Sequence, residues 1–575
     1  MHYRSYSFTL LALIIPAAQA DQPPSLIDTN NPAKVTREVT RTQLTQPLNK
    51  PKVAPQTVTH SALTLDSQFT IKQIRFIGKT HYSMDLLLAS YQDLIGQSVT
   101  LRTLLAATQK ITERYQGDGY PLSFAYLPTN NFQNNVLQVN LVEGYVANVK
   151  LDSDNAAVSE QLMRLAQPML NENPLQQKTF DRYSQLMSHI PDTTVTVSAP
   201  RPINTNGATD LIIKSSHPRH WNVATAFDAR DGEYTALLNA TFSGFTSYGE
   251  QLALATMLPV DKDNKPSYLG LNYQQYLNDD GLQLQLKGSF YQKKPKKYTY
   301  LLSIPNTNIE LDAKQKQTLY TAGMQLNYPL SLSTRNQWNM YGLIDYTDKK
   351  YQYNYQLKQN GNVINFPLES TTQTVKYPAA ELGLSGLKIY DTAYWALRLN
   401  ARQGLDGSVS GNNPLNSDLT FTRWKANLEG AYIINSRWRL SSSVEGGWSD
   451  DNLPESERIT FGGLRYGRGY DDGEASGDYG YGAQFEVRYM YPIEARWLSS
   501  VQPYVVIDTA NTRSNTSIYK AQKLASYALG TTLTDNQHYT LSVEGARPIG
   551  DKPSNSGQRD WRFNLTFSYN FNSIH

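Results

Sequence analysis

The segment 461–482, FGGLRYGRGYDDGEASGDYGYG, gathers the residues whose types and spacing could do chemistry. It contains eight glycines and four tyrosines. Arg468 stands between Gly467 and Gly469 and is followed by Tyr470. Glycines allow a tight backbone path, and a guanidinium seeks a carboxylate for a forked pair. A carboxylate is available downstream. Over 501–510, Gln502, Tyr504 and Asp508 share one face of an alternating segment, against Val501, Pro503, Val505 and Ile507. Arg468, Gly469, Tyr470 and Asp508 are therefore a candidate lock for a folded-in loop. On residue chemistry alone, a solvated loop with Arg468 in water is equally open. Other chemistry is missing. The chain has no cysteine, no G-x-S-x-G, no H-E-x-x-H and no P-loop, and its eight histidines are scattered. Asp471, Asp472, Glu474 and Asp478 fit no oxygen-ligand loop spacing. No catalytic residue, metal or cofactor is assigned, and no enzyme is expected.

The elements that would position such a loop are strands. From Trp221 onward the residues alternate segment after segment. Leu282, Leu284, Leu286 and Phe290 stand against Gln283, Gln285, Lys287 and Ser289. Trp424, Ala426, Leu428 and Tyr432 stand against Lys425, Asn427 and Glu429. Phe563, Leu565, Phe567, Tyr569 and Phe571 stand against Arg562, Asn564, Thr566, Ser568 and Asn570. Segments of about ten residues, apolar outside and polar inside, suit a lipid-embedded barrel. A soluble sandwich also alternates, but in shorter strands of about 5–6 residues. The apolar faces here often end in Tyr, Trp or Phe, as an interfacial girdle does. Residues 217–575 should hold roughly 16 antiparallel strands at about 22 residues each with its connection. The 39 tyrosines and a mean hydropathy of −0.51 agree with a surface apolar on one face only. Formal net charge is +3, which makes nucleic acid a poor candidate partner.

The N-terminal part has a different character. Residues 1–20 carry a basic start, an apolar core and Ala18-Gln19-Ala20, which reads as a secretory signal peptide. Residues 21–68 are a Pro-rich linker, within which 32–46 could form a short polar helix. Two small α+β units follow, 69–144 and 145–216, each in the order strand, helix, helix, strand, strand. The first unit's elements are expected at 70–78, 84–94, 101–116, 123–127 and 136–143. Those of the second are expected at 146–151, 159–170, 173–190, 195–198 and 209–215.

Leader, linker, paired units and barrel together resemble the TpsB family of two-partner secretion transporters, and the paired units resemble its POTRA domains. Arg468-Gly469-Tyr470 matches the family's lumen-loop motif. Val506-Ile507-Asp508-Thr509-Ala510 resembles its second motif, with alanine in the place of a glycine, and Gly467 stands where a valine is usual. The resemblance implies a 16-stranded outer-membrane barrel with periplasmic POTRA domains and a loop 461–482 locked by an Arg468–Asp508 pair. It implies a plug role for 32–46. It also implies a large secreted TpsA-type exoprotein, captured through its N-terminal secretion domain by strand addition to a sheet edge. Edge candidates are Ser123, Phe124, Ala125, Tyr126 and Leu127, or 195–198. Further implied partners are outer-membrane lipid and, during insertion, the barrel-assembly machinery. A barrel-insertion factor of the same superfamily is the alternative.

Overall fold

The computed structural model describes residues 65–571, except 129–131, 231–232, 259–266, 305–306, 360–361, 365–370, 412–416, 464, 517–520 and 555. The expected signal peptide, most of the linker and the helix at 32–46 lie outside the described residues.

The first unit runs β1 (Gln68–Thr70), β2 (Gln73–Ile77), α1 (Met84–Leu88), β3 (Ser98–Thr100), α2 (Leu101–Gly117), β4 (Phe124–Tyr126), β5 (Phe132–Gln133) and β6 (Val136–Val142). The single strand expected over 70–78 is broken: Ile71 turns into the core, and the Lys72 N–H donates to the Asn135 carbonyl at 2.8 Å. The first helix stops at Leu88 rather than 94. Tyr91 swings its ring inward with its hydroxyl 2.6 Å from that of Thr108, and this contact overrides helical continuation. Thr100 caps α2 by accepting from the Thr103 N–H. Leu104, Ile111 and Tyr115 then face the core at helical spacing.

The second unit runs β7 (Tyr145–Ser153), α3 (Ala156–Leu170), α4 (Gln177–Ser188), β8 (Thr194–Ser198) and β9 (Ala208–Ser216), with sheet order β7-β9-β8. Its first helix begins before 159 because Asn155 is the cap, accepting from the Val158 N–H at 3.0 Å. Its second begins after 173. The turn before it is committed elsewhere, the Leu175 N–H donating to the Gly144 carbonyl.

The rest is a closed barrel of sixteen long antiparallel strands. They are β10 (Trp221–Arg230), β11 (Glu233–Ser243), β12 (Gln251–Leu258), β13 (Ser267–Tyr276), β14 (Gln283–Ile304), β15 (Thr307–Leu332), β16 (Asn336–Gln359), β18 (Thr371–Ile389), β19 (Ala393–Gly404), β21 (Thr422–Ile433), β22 (Trp438–Trp448), β25 (Tyr479–Tyr489), β27 (Leu498–Arg513), β28 (Gln522–Thr534), β29 (Tyr539–Pro548) and β30 (Arg562–Asn570). Short segments β17 (Asn362–Ile364), β20 (Ser408–Ser410) and β26 (Tyr491–Ala495) extend the sheet. The last strand closes on the first, with Phe227 opposite Phe567, so no edge is left in lipid. The alternation points as expected. Ile344, Leu382, Ile507 and Phe563 are exposed on the outer face, while Asp345, Glu381, Arg402 and Glu544 are buried inside. Four strands, β14, β15, β16 and β18, are far longer than ten residues. Their hairpins keep pairing, as in Ile309 opposite Gln359, beyond the length that a bilayer requires.

Candidate functional site

The connection between β22 and β25, residues 449–478, folds into the lumen; it begins before the expected 461 and ends before 482, because Gly480, Tyr481 and Gly482 already pair with β22. Its own hairpin pairs β23 (Ile459–Phe461) with β24 (Ala475–Gly477). Ile459, Phe461, Tyr466, Tyr470 and Ala475 form one apolar cluster with Ala510 of β27 and Leu524 of β28. Burial of both tyrosines excludes the solvated-loop alternative.

Arg468 sits at the tip of a turn in which the Tyr470 N–H donates to the Gly467 carbonyl at 2.9 Å. Gly467 has φ +126°, which side-chain-bearing residues rarely adopt. Gly469 lies against the end of β29, where an added Cβ would meet the Pro548 nitrogen at 2.6 Å. The Gly469 N–H donates to the Ser526 hydroxyl at 3.1 Å, and the Tyr470 hydroxyl donates to the Asp551 carbonyl at 2.8 Å.

Arg468 is held differently from the expected Arg468–Asp508 ion pair. Asp508 is buried on the lumen face as expected, but it accepts the Arg468 backbone N–H at 3.2 Å and the Ser526 hydroxyl at 2.6 Å. The guanidinium pairs instead with Glu544 of β29. Glu544 is held by the Tyr504 hydroxyl at 2.9 Å and the Asn564 amide at 3.2 Å. With its main chain held at Asp508, the side chain of Arg468 extends past that residue to the acid two strands on. The signal for Glu544 was present: it is the one acid of β29, on the face opposite Leu541 and Val543.

The loop's other charges find partners on the wall, in a neighbouring turn or within the loop itself. Arg465 pairs with Glu429 at 3.3 Å, and Asp471 pairs with Arg562. Glu474 accepts the Ser554 N–H at 2.6 Å, and Asp478 pairs with Arg458 at 3.3 Å. The loop's acids thus diverge to separate partners rather than converge on one point.

In the first unit β4 is the outer strand of the sheet β2-β6-β4, as an edge site needs. Its outward main chain is nevertheless engaged at Ala125. The Thr112 hydroxyl accepts the Ala125 N–H at 3.0 Å and donates to its carbonyl at 3.3 Å. Ser123 is buried, with its hydroxyl accepting from the Gly144 N–H. The Arg201 guanidinium covers the Phe124 ring at 5.3 Å. Tyr126 ends the strand by accepting from the Asn140 amide at 3.0 Å, and Leu127 lies beyond it, packed against the unit's core.

A small strand–helix module ahead of a closed barrel with a lumen loop defines an outer-membrane transporter with a periplasmic POTRA region. Residues 69–144 match the ShlB-type POTRA domain, and residues 269–533 match the haemolysin secretion/activation protein family ShlB/FhaC/HecB. The heme/hemopexin transporter protein HuxB of Haemophilus influenzae is 19% identical over 515 residues, spanning 86% of each chain. CdiB from Escherichia coli superposes with a TM-score of 0.66 at 14% identity, over 91% of this chain and 94% of that one. CdiB from Acinetobacter baumannii superposes with a TM-score of 0.58 at 17% identity, over 96% and 100%. The chain is an outer-membrane transporter of the two-partner secretion type, similar over most of its barrel to the TpsB family, whose partner is a large exoprotein.

Proposed function

We propose that the chain captures its exoprotein in the periplasm through that protein's N-terminal secretion domain, and that loop 449–478 gates the pore. Residues 145–216 act as a second POTRA domain. Its outer strand β8 has five residues against three in β4, and the Ala125 main chain of β4 already has partners within the unit. Strand addition therefore favours β8 over 123–127. The residues that hold the gate are Arg468, Gly469, Tyr470, Asp508 and Glu544. The reading of the loop as a gate rests on one observation: Arg468 is clamped by main chain and side chain to two different wall strands. Outer-membrane lipid surrounds the apolar face, and the alternating aromatic β30 suits insertion by the barrel-assembly machinery. The substrate then passes along the polar lumen and folds outside. The test is export of a neighbour-encoded large exoprotein, measured in medium against periplasm, with and without this chain. Export should be lost while other outer-membrane barrels assemble normally. Unchanged export with depleted barrels would instead identify an insertion factor.

A further inference from the structure

We propose that the lumen loop has a second anchor of opposite charge, Glu457, so that two separate sectors of the wall must release it. This deepens the reading of 449–478 as the gate and rests on it. Glu457 precedes the Arg468 tip in the same loop and is fully buried. Its carboxylate accepts the Arg402 Nε–H at 3.1 Å to each oxygen, Arg423 Nη1 at 2.5 Å and the Tyr377 hydroxyl at 2.8 Å. Next to it, Ser456 lies 2.7 Å from the Tyr377 hydroxyl. Leu453 is buried in a cluster with Tyr377, Leu419 and Phe421. These wall residues belong to β18, to β19 and to β21 and the turn before it. The Arg468 anchor lies on β27, β28 and β29. The loop's own strands β22 and β25 separate the two sectors in the ring.

The chemistry of the two anchors is complementary. At one the loop brings a cation to wall acids; at the other it brings an anion to wall cations. Both receiving sites keep partners when the loop leaves. Arg402 is bidentate to Asp345 at 2.7 Å, and Arg423 faces Glu381 at 3.2 Å, which also accepts the Tyr341 hydroxyl. Two guanidinium groups thus remain matched by two carboxylates. On the other side Glu544 keeps Tyr504 and Asn564, and Asp508 keeps Ser526. Withdrawal leaves the wall guanidinium groups ion-paired and the wall acids Glu544 and Asp508 still hydrogen-bonded by neutral donors, which lowers the cost of breaking a buried pair. The clamp is therefore suited to release and re-form. Glu457 acts on the gate by positioning the loop's first half, as Arg468 positions its tip.

The absence of cysteine from the chain allows a single-thiol test. Ala475→Cys places a reporter in the buried core of the loop hairpin, and Ala226→Cys, tested separately, places a control in a buried cluster on β10. Maleimide labelling is followed in outer-membrane vesicles, with heat-modifiable gel mobility as the check that the barrel is assembled. Glu457→Gln should speed labelling at 475 by about tenfold or more while the control at 226 stays slow. Arg468→Gln should do likewise, and the double variant should show roughly the product of the two increases. Labelling at 475 unchanged in Glu457→Gln, a double variant no faster than Arg468→Gln, or equal rises at 475 and 226 would each overturn the second anchor. Should Glu457→Gln not assemble, Tyr377→Phe removes one hydrogen bond to Glu457 and is read in the same way. Labelling is independent of export, so failure here leaves the transport reading standing.

Discussion

The two periplasmic units share a strand–helix–helix–strand–strand frame, to which the first adds the short strands β1, β3 and β5, yet their cores close in different ways. The first closes on itself, around Ile71, Leu104, Ile111, Tyr115 and Val139. The second closes on the barrel: Leu332 of β15 is part of its core, and Tyr276 of β13 packs against it. Its helices grip the periplasmic turns. Arg182 of α4 reaches Asp280 at 2.8 Å and the Pro329 carbonyl at 2.9 Å. Arg164 of α3 reaches Asp279 at 3.1 Å, and Asn155 donates to the Gly244 carbonyl at 3.2 Å. The first unit is mounted on the second: the Gln177 N–H donates to the Gly119 carbonyl at 2.8 Å, and Arg201 covers Phe124. The difference teaches that one supersecondary pattern serves two mechanical roles. The second unit is the collar of the pore, and the first is an arm carried by the collar.

The comparison breaks most readily at Leu332. Leu332→Ala should destabilise the second unit by about 2–5 kcal/mol while leaving the first intact, although the substitution lies on a barrel strand. Hydrogen exchange of the full chain reads the two units separately, and equal loss in both would dissolve the distinction.

A second, smaller effect is acid sensitivity confined to the collar. Burial pushes the His189 imidazole down to about 4 and also lowers that of His217. The folded state therefore resists protonation more than the unfolded one, whose histidines titrate near about 6.5. Stability from these groups is complete above that pH. It falls as the pH drops from 6.5 toward 4, by at most about 3 kcal/mol for His189. Limited proteolysis along this pH range should cut within 145–216, and a His189→Gln chain should show a flatter dependence.

The smallest effect sharpens the description of the arm. Thr112→Val deletes the hydroxyl that serves both main-chain groups of Ala125 and should cost the first unit about 1–2 kcal/mol. Exchange of the Ala125 amide should accelerate without change in the second unit. An unaltered amide would mean that Thr112 does not close this edge.

Much of this architecture was legible in the residues. Period-2 alternation placed the lipid and lumen faces correctly at Val505, Ile507 and Asp508, because side-chain direction in a strand is a local property. Periodicity likewise located α2, expected over 101–116. The expectation failed where a distant contact outweighed a local preference, as at Tyr91, whose bond to Thr108 ends the first helix early. Nor did local pattern show that the main chain of β4 is covered at Ala125, because the cover comes from Thr112, on a helix and 13 residues away.

Sequence alone determined the class of protein, the alternation that makes a barrel, and the presence in its loop of an arginine poised for a carboxylate. Only the tertiary structure decided which carboxylate. The strand register sets Asp508 opposite Ser526 and Glu544 opposite Asn564. The Arg468 main chain docks on the first acid, so its guanidinium reaches the second. The same holds for Glu457, an unremarked acid in the chain. Its two arginines come from separate strands, and pairing between strands brings them together around a loop that follows both in the sequence. Hydrophobic patterning is written residue by residue. Charge pairing across a lumen depends on register, curvature and reach, which exist only once the sheet has closed.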